Sequence, residues 1–266
     1  FQLKAEAAKT GLQVKHWMTG ERVNVIPGHA EMLLEGGEAL AEQVRAYAKE
    51  TNLPYTAEVT AEGVKVTAEG IPGHSAYPEG RRNAIGMMLC LLLRLGVEGP
   101  LKTIAEAVGM EHDGASLGCA CADKVSGPLT CNMGIMRVED GQIFCTLDDR
   151  CPVEADQEKL IAATRAHLPG VQVEVIEQKA PHHVPAESEL VSSLLAAYHE
   201  ETGLPAEACS TGGGTYAKVL EQGVAFGASF PDDEDLAHQA NEYATISGLM
   251  KSMRIYANAL VRLAGE

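Results

Sequence analysis

The sequence predicts an α+β domain built on antiparallel hairpins, followed by a shorter α/β segment. Two hairpin patterns carry the first part. One joins alternating residues at 55–60 and 64–67, and the other joins Asn132 to Val138 with Gln142 to Arg150 across Asp140-Gly141. The third observation is Pro181-His182-His183-Val184-Pro185, a proline-bracketed stretch after which helical and apolar strand patterns alternate.

The elements follow in order. Phe1, Leu3 and Ala5, then Leu12 and Val14, alternate as short strands, and Val23, Val25 and Pro27 begin another. Gly36 to Glu50 has helical spacing, with Leu40, Val44 and Tyr47 on one face, and Asn52 with Pro54 ends it. Tyr55, Ala57 and Val59 form a strand, Glu62-Gly63 turns the chain, and Val64 and Val66 return. Gly70-Ile71-Pro72-Gly73-His74 and Pro78-Glu79-Gly80 lead into an apolar helix over Arg82 to Leu95, whose Ile85, Met88, Leu89 and Leu92 are spaced for burial. Residues 96–131 are loop-rich, with a short helix near Thr103 to Val108. After the second hairpin come a helix at 155–167 and a strand at 171–178. Beyond the proline segment the patterns predict a helix at 187–201, a strand at 206–210, a glycine turn at 212–214 and a helix at 215–221. An apolar strand, Val224 to Phe226, precedes an acidic loop and a final helix at 243–263.

Composition narrows the function. The 266 residues carry 21 Lys and Arg against 37 Asp and Glu, a net charge of −16. That field repels a phosphate backbone and excludes nucleic acid as a partner. The longest apolar run, Met87 to Leu93, is far short of the roughly 18 residues a membrane span needs. Seven scattered cysteines do not form a disulfide framework, and a reducing cytoplasm is the expected compartment. The chain begins with Phe1 rather than Met, so a start further upstream, with or without a signal peptide, stays open.

Most chemical motifs read more simply as structure. Gly114-Ala115-Ser116-Leu117-Gly118 has the G-x-S-x-G pattern of a nucleophile elbow, yet no strand pattern precedes it. Gly212-Gly213-Gly214-Thr215-Tyr216-Ala217 fits G-x-G-x-x-A, but no acid ends a strand about 20 residues later. A tight turn that some ligand group approaches closely is the simpler reading. Cys119-Ala120-Cys121 is a lone pair, and His182-His183 reads as solvated linker. His238 differs, because it sits in an acidic loop after an apolar strand, where α/β sheets bind ligands.

Three blocks in order carry a resemblance. The first is Gly70-Ile71-Pro72-Gly73-His74-Ser75 with Pro78-Glu79-Gly80 and Asn83-Ala84. The second is Leu147-Asp148-Asp149-Arg150-Cys151-Pro152. The third runs Gly213-Gly214-Thr215-Tyr216-Ala217, Gly223-Val224-Ala225-Phe226-Gly227, Phe230-Pro231 and His238-Gln239-Ala240-Asn241-Glu242. Together they resemble the zinc-dependent aminoacylase, carboxypeptidase and dipeptidase superfamily, and the long region before residue 183 is similar to the lid of its bacterial PepV-type dipeptidase branch. The resemblance implies a lid domain with an antiparallel sheet at 1–182. It also implies that 183–266 is the closing α/β segment of a phosphorylase/hydrolase-like catalytic domain.

The resemblance also implies roles. His238 matches a zinc ligand in a two-metal site, with manganese or cobalt as alternative metals. His74 matches the lid histidine that donates to the oxyanion, and Arg150 the arginine that grips the C-terminal carboxylate of a small peptide. Gly213 and Gly214 would offer backbone N–H groups to substrate, and Asn24 a lesser contact. The family's H-x-D and its general-base Glu-Glu pair have no counterpart. No H-x-D occurs, and the only adjacent glutamates, Glu200-Glu201, end a helix. The expectation is therefore an incomplete portion of a metallodipeptidase, with another chain or segment covering an open sheet edge. A deacylase or desuccinylase of the same superfamily, or a non-catalytic binding or dimerisation module, are the alternatives.

Overall fold

The computed structural model describes residues 1–211, 214–227, 229–234, 236 and 241–265. The chain divides into two compact units, Phe1–Pro181 and His182–Glu266.

In the first unit, β1 (Gln2–Glu6) and β2 (Val14–Thr19) precede a two-residue strand, β3 (Val25–Ile26), and then β4 (His29–Leu34). Strand β4 shows why a sheet forms. Its Ala30, Met32 and Leu34 are buried while His29 and Glu31 are exposed, the period of two that puts alternate side chains on one face. Helix α1 (Glu38–Thr51) buries Ala41 and Val44 and ends at Asn52, whose φ of 54° breaks the helix. Strands β5 (Tyr55–Thr60) and β6 (Gly63–Glu69) form the first hairpin. Its turn falls one residue earlier than predicted, on Ala61-Glu62, and Gly63 opens β6. A Cβ at Gly63 would lie 2.2 Å from the Leu34 carbonyl oxygen, so the glycine serves strand contact rather than the turn.

The two-residue β7 (Gly73–His74) leads to α2 (Ala84–Arg94). This helix starts two residues later than predicted because Asn83 caps it, its Oδ1 accepting from the N–H groups of Ile85 and Gly86. Eight of its eleven residues are buried, including Ile85, Met88, Leu89 and Leu92. A helix apolar on nearly every side needs neighbours all round, and α2 packs on β4, β6, α1 and α3 (Gly99–Val108). Each fully buried Leu, Ile or Met there contributes roughly 1.5–3 kcal/mol. Helix α3 begins earlier than predicted, with Pro100 at its start.

A short pair, β8 (Ala122–Asp123) and β9 (Gly127–Pro128), precedes the long hairpin of β10 (Thr130–Glu139) and β11 (Gln142–Arg150). Asp140 and Gly141, with φ of 49° and 72°, make its turn as the sequence predicts. Helix α4 (Gln157–His167) then leads to β12 (Gln172–Glu174). That strand is shorter than the predicted 171–178, because it finds partners only at Gln2, Leu3 and Lys4. Eight strands form one sheet, in the order β12-β1-β11-β10-β2-β4-β6-β5, and every pairing is antiparallel. Leu3, Val64, Val66, Met136, Val138, Ile143, Cys145 and Leu147 join the helices in one core.

Helices are the only regular elements among the described residues of the second unit. Helix α5 (Glu189–Thr202) is capped by Ser188 and stopped by Gly203, whose φ is 68°. A 3₁₀ turn covers Tyr216–Val219, where a helix at 215–221 was predicted, and α6 (Ile246–Ala264) is capped by Thr245. Leu194 and Ala197 of α5 pack on Ala259 of α6, with Val224 and Phe226 beside them. The predicted parallel strands at 206–210 and 224–226 do not form, and no strand is assigned among the described residues of this unit. The apolar residues are present, but a strand makes its hydrogen bonds only to a neighbour, and none is assigned among the described residues. No described helix is long and apolar enough to cross a membrane.

Candidate active site

The site is built around one loop closed at its base. Ile71 and Arg82 exchange backbone hydrogen bonds of 2.9 and 3.0 Å, so residues 72–81 project as a loop carrying His74. Strand β7 within it pairs with β3, Val25 lying opposite His74, and the Ser75 N–H donates to the Asn24 carbonyl at 3.1 Å. What fixes β3 is a pair of asparagines. Asn83 donates from Nδ2 to Asn132 Oδ1 (3.0 Å) and to the Met133 carbonyl (2.9 Å). Asn132 donates in turn to the carbonyls of Val23 and Val25, both at 2.9 Å. The chain before β3 can lie so close to the sheet because β10 bulges between Met133 and Ile135. A Cβ at Gly134 would lie 2.4 Å from the Val23 carbonyl oxygen.

His74 is half-buried, and its ring tilts against Tyr77 with centroids 5.9 Å apart. Its Nδ1 lies 3.1 Å from the Ala76 N–H and accepts from it. A nitrogen that accepts carries no proton, so the neutral ring holds its proton on Nε2. Next to it, Ser75 is 1% exposed, and its Oγ donates to Asp148 Oδ2 at 2.7 Å. The same carboxylate oxygen accepts from Arg150 Nε at 3.0 Å and lies 2.9 Å from Arg150 Nη2. Alternation along β11 puts Asp148 and Arg150 on one face. Between them, Asp149 is turned toward the Cys131 thiol, and burial raises its carboxyl above the ordinary carboxylate range. The cavity beside the turn, bordered by Ser75, Arg81, Asn83, Glu111, His112 and Asn132, holds about 20 Å³. That is room for a single water and no peptide side chain.

Three of the sequence-predicted residues thus come together. Asn24, His74 and Arg150 are joined through the backbone and side chain of Ser75 and through Asp148. Gly214 lies exposed in the second unit, and Gly213 and His238 lie outside the described residues. Ser75, Asp148, Asn83 and Asn132 make the contacts that link these residues to one another and to the sheet; the sequence assigns them no role, although the first three stand inside its motifs. The other motifs resolve as structure. Ser116 donates to Glu111 at 2.7 Å in a turn with no preceding strand, and Cys119 is buried against Thr164. His182 is bonded to the Gly223 carbonyl rather than merely solvated. Glu200 pairs with Arg262, and Asn258 bonds both Glu200 and Glu201, which ties α5 to α6. All seven cysteines are free thiols. Among the described residues, no group of three or more His, Cys, Asp or Glu could hold a metal ion. On those residues a metal does not fit.

Comparison with known proteins follows the same lines. A family model described as peptidase family M20/M25/M40 matches residues 19–262. The protein named "Putative dipeptidase YtjP" of Bacillus subtilis is 32% identical over 256 residues, which cover 93% of this chain and 55% of that protein. "Putative dipeptidase SSP1012" of Staphylococcus saprophyticus is 29% identical, covering 96% of this chain and 56% of its own length. "Putative dipeptidase SAR1836" of Staphylococcus aureus is 30% identical, covering 93% and 55%. The chain spans about half the length of these curated relatives.

Proposed function

Because the chain belongs to peptidase family M20/M25/M40, we propose that the protein containing it is a zinc-dependent dipeptidase of the cytoplasm. In this reading residues 1–182 are its lid, and 183–266 belong to the domain that holds the metal, with His238 as a ligand. His74 donates its Nε2 proton to the oxyanion formed at the scissile carbonyl, a contact that strengthens as charge develops there. Arg150 binds the C-terminal carboxylate of the substrate, which orients the peptide. Asn24, Gly213 and Gly214 are lesser substrate contacts. A partner segment or chain covers apolar positions of the second unit such as Ile246 and Met253, which are 81% and 61% exposed.

One observation carries the proposal. The turn that carries His74 is tied through Ser75 and Asp148 to the arginine suited to a carboxylate, within one compact unit. The names of the relatives favour a dipeptide over longer substrates. The test is Arg150→Lys in the full-length protein, assayed with free dipeptides and with their C-terminal amides. A point charge replaces a planar fork, so KM for free dipeptides should rise about tenfold or more, with no such rise for the amides. Equal kinetics of the two proteins on free dipeptides remove Arg150 from the reading.

A further inference from the structure

We propose that Ser75 and Asp148 are positioning residues that lock the Arg150 guanidinium to the turn carrying His74. The proposal rests on the reading of Arg150 as the carboxylate grip. Its ground is the convergence of three contacts on one oxygen. Asp148 Oδ2 accepts from Ser75 Oγ at 2.7 Å and from Arg150 Nε at 3.0 Å, and lies 2.9 Å from Arg150 Nη2. Two of these contacts come from β11 itself, and the third comes from a loop 73 residues earlier in the chain. The loop is in turn pinned to β3, so the carboxylate bridges two elements that share no strand pairing.

The arrangement has a physical purpose. An arginine side chain has many rotamers, and a grip that orders only when substrate arrives loses that freedom at the moment of binding. Here the Nε edge is already oriented. The Arg150 side chain is 31% exposed and that of Asp148 18%, so the pair is shielded enough for charge-assisted hydrogen bonds to hold. Ser75 supplies what Asp148 alone lacks. The residue is almost wholly buried, and its hydroxyl fixes the carboxylate rotamer from the side of the His74 turn. The distance between oxyanion donor and carboxylate grip is thereby set before substrate binds. That distance measures the length of the peptide held between them, which makes Ser75 and Asp148 determinants of substrate length.

The experiment uses the full-length protein. The Arg150 Nε–H is followed by nitrogen-15 NMR, and kinetics are measured on alanyl-alanine and on its C-terminal amide. Ser75→Ala is expected to speed exchange of that proton with water and to raise KM for alanyl-alanine, each about tenfold, as loss of a hydrogen bond to a charged group implies. The amide should show no such rise, and Ser75→Thr, which keeps the hydroxyl, should restore both values. Unaltered exchange in Ser75→Ala overturns the proposal whatever the kinetics show. An equal rise in KM for dipeptide and amide also overturns it, since that is general loosening. Faster exchange in Ser75→Ala beside an Arg150→Lys protein with ordinary KM upholds the lock and instead discards Arg150 as the carboxylate grip.

Discussion

Asn132 is 4% exposed, and its amide is fully engaged, with Nδ2 donating to two carbonyls and Oδ1 accepting from Asn83. Asn132→Leu keeps the volume and removes all three bonds, leaving the carbonyls of Val23 and Val25 without their side-chain donor. The expected loss is about 2–4 kcal/mol, since three hydrogen bonds are lost at roughly 0.5–1.5 kcal/mol each. Urea unfolding should show a lower midpoint with an unaltered slope, and a loss under about 1 kcal/mol would mean that water replaces the amide. Residues of this kind mark where a sequence stops being legible. Asp148 and Arg150 are two apart on a strand, so their shared face can be read directly. The Ser75 hydroxyl that completes the set is held by contacts distant in sequence, and no local pattern announces them. Asn132 shows only a polar residue inside an apolar strand, a sign that something is bonded there but not what.

At the scale of elements, legibility followed the chemistry of the turns. The 140–141 hairpin was readable because Asp-Gly accepts the positive φ its turn demands. Strand β4 was not, because Ala30, Met32, Leu33 and Leu34 are better helix formers than strand formers, and only its neighbours make it a strand. Residues 206–210 and 224–226 have the opposite fault, strand-like residues without an assigned neighbour to pair with. The small β8–β9 hairpin makes a testable case of an element held by one side chain. Asp123 accepts from the N–H groups of Val125, Ser126 and Glu154 and from the Ser126 hydroxyl. Those donors favour the charged carboxylate and lower its pKa to about 2. The folded value lies below the unfolded one, so the stabilisation is complete above about pH 4 and is lost as pH falls through 2. The amide resonances of Ser126 and Glu154 should titrate with a midpoint near 2. A midpoint near 4, the ordinary value for an aspartate, would show that the N–H groups do not hold the charge.

For the whole molecule, a net charge of −16 gives a field that disfavours association with a phosphate backbone. The strand order carries a further consequence, and it concerns time. Strand β1 lies between β11 and β12, so Gln2 pairs with Thr146 on one side and Glu174 on the other. Its place in the sheet cannot exist until nearly the whole first unit has been synthesised. Contacts so distant along the chain must close very large loops before any favourable pairing is gained. Trp17, the single tryptophan and fully buried in β2, reports on the closure. Its fluorescence should recover over milliseconds to seconds after dilution from urea, the range of non-local β proteins. Microsecond recovery would contradict the strand order. During synthesis on the ribosome, β1 emerges long before β11 and β12, and until it pairs, β11 shows an open edge to every other nascent chain.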